Sequence, residues 1–274
     1  MARKSVGFFL SFGVFENELI SYKNISITLL NIFKKKQEFY TQGYFPIAND
    51  IHSHILPGID DGSPDMETSL FLIDGMMKAG IASAVATPHI IGDMYRNDAV
   101  TIGAALGKVQ EALKEKQTDF TLKAAAEYMM DEYFLTLLAN KTPLLTVHDN
   151  MVLTEFSYVE KPFNAEQMAF TMITEGYRPI LAHPERYGYY HNDHKQFDHL
   201  KDLGFLLQIH LLSLTGYYGK GVAKAAHYII RNGLASFAGT DLHHERHLNA
   251  LHDPANHIVF ADAFEGKNLN EEFS

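Results

Sequence analysis

Asp50-Ile51-His52-Ser53-His54-Ile55-Leu56-Pro57-Gly58-Ile59-Asp60-Asp61-Gly62 is the stretch from which the fold of this chain can be read. A short run leads into two histidines one residue apart. Side-chain direction alternates along a strand, so both imidazoles leave the same face. Pro57-Gly58 and Asp60-Asp61-Gly62 then make a loop. The histidines therefore stand at the C-terminal end of a strand, with Asp61 just beyond. A His-x-His pair alone is a weak signal; its weight comes from what recurs downstream.

The same unit, an apolar run closing on a metal-capable side chain, returns as Ala84-Val85-Ala86-Thr87-Pro88-His89, Leu122-Lys123-Ala124-Ala125-Ala126-Glu127 and Met151-Val152-Leu153-Thr154-Glu155. It returns again as Pro179-Ile180-Leu181-Ala182-His183 and Ser236-Phe237-Ala238-Gly239-Thr240-Asp241-Leu242-His243. Donors spread this far along a chain converge only if the fold collects the same end of many strands. A β/α barrel does so, with its chemistry at the C-terminal rim. Strand and helix signals alternate from Asp50 onward, which predicts a mainly parallel sheet with helices outside it. Strands are expected at 82–87, 120–126, 151–155, 179–182, 205–209 and 234–238. The first helix is expected over 64–78, capped by Ser63 and stopped by Gly80. Together these predict a distorted seven-stranded (β/α)7 barrel in one domain over residues 46–274, preceded by an N-terminal extension at 1–45.

At 274 residues and 46% hydrophobic, the chain can bury one large core. Its formal charge of -10, with 23 basic against 33 acidic residues, argues against a nucleic-acid surface. Cysteine is absent, which removes disulfides, zinc-thiolate sites and thiolate nucleophiles, and is compatible with a reducing cytoplasm. No apolar stretch approaches the roughly 20 residues that span a bilayer, so no stable membrane insertion is expected. Arg3 and Lys4 before an apolar run faintly resemble an export signal, but Glu16 and Glu18 follow without a clear cleavage pattern. Lys34-Lys35-Lys36 reads as a solvated basic patch rather than a membrane contact. The expected location is cytoplasmic, and an oligomer is left open.

The donors are His52, His54, Asp61, His89, Glu127, Glu155, His183, Asp241 and His243. Taken singly, each has a plainer reading. Glu127 and Glu155 could form salt bridges or end surface strands; His89 and His183 could be hydrogen-bonded core histidines. Six such coincidences at one rim point instead to a polynuclear metal site. Nitrogen and oxygen donors without sulfur suit Mn, Fe, Zn or Mg and do not choose among them, though so many histidines disfavour magnesium alone. Three divalent ions against four carboxylates would leave a positively charged trap for a phosphate ester. Arg186 follows His183 by three residues and Arg246 follows His243 by three. Guanidinium forks match phosphate oxygens and can neutralise charge in phosphoryl transfer; the alternative is a rim salt bridge to Glu185 or Glu245. His210, His244 and His247 lie near the rim and are not expected to ligate.

The segments 50–62, Ala86-Thr87-Pro88-His89, Ala126-Glu127-Tyr128-Met129, Ala182-His183-Pro184-Glu185-Arg186-Tyr187 and Gly239-Thr240-Asp241-Leu242-His243 resemble the polymerase-and-histidinol-phosphatase superfamily. Within it they are most similar to the manganese-dependent bacterial protein-tyrosine phosphatases that regulate capsular and exopolysaccharide synthesis. The resemblance covers about Asp50 to Leu251. It implies two or three divalent ions, manganese by preference. One would be held by His52, His54, Glu127 and Asp241, a second by Glu127, Glu155 and His183, and a third by Asp61, His89 and His243. Arg186 matches a position implicated in catalysis and Arg246 a phosphate-binding one. Thr240-Asp241-Leu242-His243 stands where many relatives carry Ser-Asp-Ala-His, which changes no ligand. The implied activity is hydrolysis of phosphotyrosine by metal-activated water, on a protein such as the tyrosine-rich tail of a membrane-bound polysaccharide-assembly kinase. A small phosphate ester such as histidinol phosphate, or a scaffold that has lost catalysis, remain as alternatives. Tyr128, Tyr158 and Tyr187 are expected at an open rim, where they could stack on the phosphotyrosine ring or equally serve as rim packing.

Overall fold

A computed structural model describes residues 45–267 and 269–273. The leader-like stretch and the basic run expected near the N-terminus lie outside those residues. The strands are β1 (Asn49–Asp50), β2 (Ser83–Ala86), β3 (His89–Ile90), β4 (Thr121–Ala124), β5 (Glu127–Met129), β6 (Met151–Glu155), β7 (Arg178–Ala182), β8 (Leu206–His210) and β9 (Ala235–Gly239). Between and after them come α1 (Met66–Lys78), α2 (Ala99–Glu115), α3 (Glu132–Ala139), α4 (Ala165–Thr174), α5 (Lys195–Asp202), α6 (Lys220–Arg231), α7 (Glu245–Leu251) and α8 (Pro254–Ala263). None of the helices among the described residues is long and apolar enough to cross a membrane.

All paired strands run parallel, in two sheets ordered β1-β2-β4 and β3-β5-β6-β7-β8-β9. Two expected strands are each split. The run 82–87 breaks at Thr87-Pro88, where proline has no N–H to give to a ladder, and 120–126 breaks at Ala125-Ala126. Across the breaks the ladder continues through Ala125 N donating to Ala86 O (2.8 Å) and Glu127 N to Pro88 O (3.1 Å). His89 and Glu127 consequently open strands of the second sheet rather than following strands of the first.

The stretch after β1 is bonded on both flanks. Thr87 N donates to Ser53 O (2.8 Å) on one side, while Asp241 N donates to His52 O (2.8 Å) and His54 N to Leu242 O (2.9 Å) on the other. Below that seam the Asn270 side chain ties β9 to β1. Its Oδ1 accepts from Ala238 N (3.1 Å), and its Nδ2 donates to Asn49 O (2.9 Å) and Ala238 O (2.7 Å).

Strand residues alternate between two apolar layers, as the period of two requires. Met151, Leu153, Ile180, Ala182, Ile51, Val85 and Phe237 form an inner cluster; Val152 and Leu181 point the other way, to the helices. β6 is buried at every position, the pattern of a strand covered on both faces. α1 begins later than expected and is capped by Asp65 rather than Ser63. Asp65 has extended backbone and its carboxylate accepts from Thr68 N (2.8 Å), whereas Ser63 is fully buried in the preceding loop.

Candidate metal centre

All nine donors sit at one end of the strands: His52 and His54 beyond β1, Asp61 in the following loop, His89 and Glu127 opening β3 and β5, Glu155 closing β6, His183 after β7, and Asp241 and His243 after β9. Glu127 is fully buried at their centre. Its Oε2 lies 3.2 Å from His52 Nε2, 3.3 Å from His54 Nε2 and 3.1 Å from His89 Nδ1; its Oε1 lies 3.2 Å from His183 Nε2. Asp241 Oδ1 is 3.2 Å from His52 Nε2 and 3.4 Å from His54 Nε2. Glu155 Oε1 approaches His89 Nδ1 to 2.9 Å, and Asp61 Oδ1 stands 3.5 Å from His89 Nε2 and 3.6 Å from His243 Nε2.

These approaches lack hydrogen-bond geometry at several atoms. Both Glu127 oxygens, Glu155 Oε1 and the Nδ1 atoms of His89 and His183 are buried without a hydrogen-bond partner. Orphaned buried carboxylate oxygens are costly, and donors about 2.1 Å from a shared ion stand roughly 3 Å from one another. The donor set therefore fits cations. Four groupings each bring one donor atom per residue within 4.8 Å of the others: His54, Asp61, His89 and His243; His52, Glu127 and His183; His52, His54 and Asp241; His89, Glu127 and Glu155. His89 thus faces both the Asp61 cluster and the two glutamates, and His183 meets His52 across Glu127.

The electrostatics carry the same sign. Burial alone would push the His52 imidazole down, yet the Glu127 and Asp241 carboxylates outweigh it and hold it up at about 10. His54 is likewise held well up against burial, chiefly by Asp60. Burial works to raise Glu127 and Asp241, but the imidazoles, His52 foremost, keep both well below the carboxylate range. Asp61 is drawn down to about 2, chiefly by the His243 imidazole 3.6 Å away and further by His89 and His54. The crowding of carboxylates that favours protonated imidazoles here equally favours cations in their place.

Neighbours fix each ring. His54 Nδ1 donates to Asp60 Oδ2 (2.7 Å), His52 Nδ1 to Gln208 Oε1 (2.9 Å) and His243 Nδ1 to Asp241 O (2.9 Å). These oxygens can only accept, so Nε2 is the atom each ring turns to the site, and it offers a lone pair there once a cation displaces its proton. Gln208 is oriented by its own Nε2, which donates to Ile209 O (2.6 Å). His183 (φ 33°) and Asp241 (φ 45°) adopt left-handed backbone, which costs a non-glycine residue about 1–3 kcal/mol and concentrates at functional sites. Gly62 lets the loop close on His54, since a Cβ there would stand 2.0 Å from the His54 carbonyl oxygen.

A cavity of about 300 Å³ opens over the donors. Its walls include Tyr158, Arg186, His244 and His247 beside Asp61, Glu155, His183, Asp241 and His243. Arg186 donates to Asp241 Oδ2 (2.7 Å), and its guanidinium lies 4.3 Å from the Tyr218 ring centre and 5.0 Å from that of Tyr158. Tyr218 is held in turn by His210 Nε2 (2.8 Å) and His247 Nε2 (3.0 Å). Arg246 lies exposed on α7 and does not line the cavity. Of the three tyrosines expected at the rim, only Tyr158 is there. The Tyr128 hydroxyl is tied to Leu145 N (2.8 Å), and that of buried Tyr187 accepts from Phe156 N (2.9 Å) and donates to Ala182 O (3.0 Å).

Asp60, Gln208 and Tyr218 escaped the sequence reading. Asp60 had a signal in its place beside Asp61; the others gain meaning only when β8 and the 216–219 turn meet the rim.

Nitrogen and oxygen donors gathered at the strand ends of a parallel α/β fold, beneath a cavity bearing an arginine, define a protein of the metal-dependent hydrolase class. The chain belongs to the capsular polysaccharide synthesis family CpsB/CapC, whose model matches residues 48–258. The tyrosine-protein phosphatase YwqE of Bacillus subtilis (strain 168) is 29% identical over 201 residues, covering 73% of this chain and 79% of that protein. The tyrosine-protein phosphatase CpsB of Streptococcus pneumoniae is 28% identical over 200 residues, 71% and 82% of the two chains. Among solved structures, one of those of YwqE from Bacillus subtilis and CpsB from Streptococcus pneumoniae, described as metal-dependent tyrosine phosphatases, superposes with a TM-score of 0.68. That match is 25% identical and covers 78% of this chain and 92% of the other.

Proposed function

We propose that this chain is a metal-dependent protein-tyrosine phosphatase that uses two or three divalent ions, manganese by preference. The observation that carries the reading is Glu127: a fully buried carboxylate with no hydrogen-bond partner at either oxygen, ringed by four imidazoles beneath a cavity that holds Arg186. His52, His54, Glu127 and Asp241 would hold one ion, with Glu155, His183, His89, Asp61 and His243 supplying the others. Ions bound there would lower the pKa of water and offset charge on phosphate oxygens.

The remaining work falls to the chain itself. Arg186, braced between Tyr158, Tyr218 and Asp241, would orient the phosphate and stabilise charge developing on it. The Tyr158 ring, 46% exposed, offers a face to an aryl ring entering the cavity. A phenol leaves with a pKa near 10, so protonation by a strong acid is dispensable. The seam of bonds between the β1 extension and the residues after β9 supports reading the two sheets as one distorted seven-stranded (β/α)7 barrel. The substrate we favour is the phosphorylated tyrosine-rich tail of a membrane-bound polysaccharide-assembly kinase, met in the cytoplasm.

Specificity constants for a phosphotyrosine peptide, a phosphoserine peptide and histidinol phosphate at one manganese concentration test the reading. Preference for the phosphotyrosine peptide is expected. Preference for histidinol phosphate would overturn the substrate while leaving the metal centre intact, and metal uptake without any turnover would reduce the protein to a scaffold.

A further inference from the structure

Beside the catalytic cavity lies a groove of about 620 Å³ that contributes nothing to the donor set. The strands that supply the donors also build it. Ile91, Met129 and Ser157 line the groove, each two residues beyond His89, Glu127 and Glu155. The two spaces share one wall, the segment after β6: Tyr158 lines the cavity, while its neighbours Ser157 and Val159 line the groove.

The floor is apolar, made by Met129, Leu135 and buried Met168. At the edge, Val159 is 88% exposed and Phe163 101% exposed, two apolar side chains that nothing among the described residues covers. The charge there is acidic. Among the described residues, the exposed carboxylates of Glu132 and Glu160 have no ion-pair partner, while Lys161 is engaged by Glu166 at 3.3 Å. Asp131 is occupied too, accepting from Phe134 N (2.8 Å) and Gly92 N (3.0 Å).

We propose that this groove selects substrate by the sequence flanking the phosphotyrosine, taking an extended segment that carries a bulky apolar side chain and a lysine or arginine. The proposal rests on the phosphatase reading above. A phosphate held at Arg186 with its ring against Tyr158 leaves the peptide backbone at the mouth of the cavity. The next side chains then cross the Ser157–Val159 wall into the groove. An apolar side chain would cover Met129, Leu135 and Phe163, and a cation would meet Glu132 and Glu160. An acidic flanking sequence would meet those two carboxylates with like charge.

The test uses the metal-loaded full chain and two phosphotyrosine peptides of equal length, one flanked by leucine and lysine, the other by alanine and glutamate, with free phosphotyrosine as the ligand too short to reach the groove. The first peptide should have the higher kcat/KM by about tenfold, the usual worth of one well-filled apolar subsite. Glu132→Lys with Glu160→Lys should shift the preference toward the acidic peptide, and Phe163→Ser should weaken turnover of the leucine peptide. Each variant should leave hydrolysis of free phosphotyrosine unchanged. Equal kcat/KM for the two peptides would overturn the proposal, as would variants that slow peptides and free phosphotyrosine alike. A Phe163→Ser variant that lowers the sedimentation coefficient while keeping the peptide preference would assign the groove to a second copy of the chain instead. No turnover of any phosphotyrosine compound would refute the phosphatase reading rather than the groove. Binding of the unphosphorylated leucine-lysine peptide, lost in Phe163→Ser, would then decide the groove alone.

Discussion

Asp60→Asn isolates the support of the metal centre from its donors. Asp60 accepts three hydrogen bonds: Oδ2 from His54 Nδ1 (2.7 Å) and His89 N (3.1 Å), and Oδ1 from Gly62 N (3.0 Å). Asparagine fills the same space but has only one acceptor oxygen. With that oxygen toward His54, the amide N–H2 faces the Gly62 N–H; with it toward Gly62, the amide faces both other donors. At least one N–H is left without an acceptor, at a cost of about 1–3 kcal/mol. For a domain of this size that lowers the metal-free Tm by roughly 2–12 °C. His54 also loses the carboxylate that fixes its tautomer and strengthens Nε2 as a donor, which should weaken metal binding about 10–100-fold. Calorimetric manganese titration and thermal unfolding of the stripped protein measure the two effects separately. Wild-type affinity together with a Tm within about one degree of wild type would refute this account of Asp60, because either consequence alone exceeds that.

Metal removal should make stability depend on pH. With His52 held up at about 10, above its unfolded value, its stabilisation is present in full below about 6.5 and is lost as pH rises through 10. The stripped protein should accordingly lose Tm across that window while the loaded protein does not, and metal uptake should release protons measurable in weakly buffered solution. Arg186→Ala should lower kcat more than it raises KM, and Arg186→Lys should recover only part of the loss, since it gives up the planar fork braced by Tyr158 and Tyr218; a change confined to KM would mean that Arg186 binds ground state and transition state alike. Gly62→Ala drives a Cβ into the His54 carbonyl, a backbone atom that cannot swing aside, and should cost about 1–3 kcal/mol or more in urea unfolding along with metal affinity; an unchanged midpoint would show that the loop gives way freely.

The strand ends were legible because each donor follows an apolar run, and a parallel sheet buries such runs whole; β6 falls where the pattern places it. The breaks in β2–β3 and β4–β5 were not. Pro88 marks one as a place without an amide donor, but that the ladder carries on beyond it depends on Ala86 and Pro88 offering their carbonyls to a neighbouring strand. The rim aromatics were misjudged for a related reason. Tyr128 and Tyr158 each stand near a donor, and only the position of Leu145 decides that the first hydroxyl turns inward. Asn270 looks like an ordinary polar residue near the end of the chain until its amide is seen serving two strands whose positions in sequence are remote.

The seam between His52 and Asp241 has a consequence in time. The two residues lie nearly as far apart in sequence as any of the donors, and each bears on the same few ångströms of space. A ribosome adding about 5–20 residues per second has the first histidines in hand roughly 10–40 s before the last strand that completes their surroundings. During that interval the early donors belong to a growing chain with no enclosed site, and contacts this distant in sequence are among the slowest to form. Ion capture must therefore be a late event, following closure of the seam, and a nascent chain stalled short of residue 241 should hold no ion with the affinity of the finished protein.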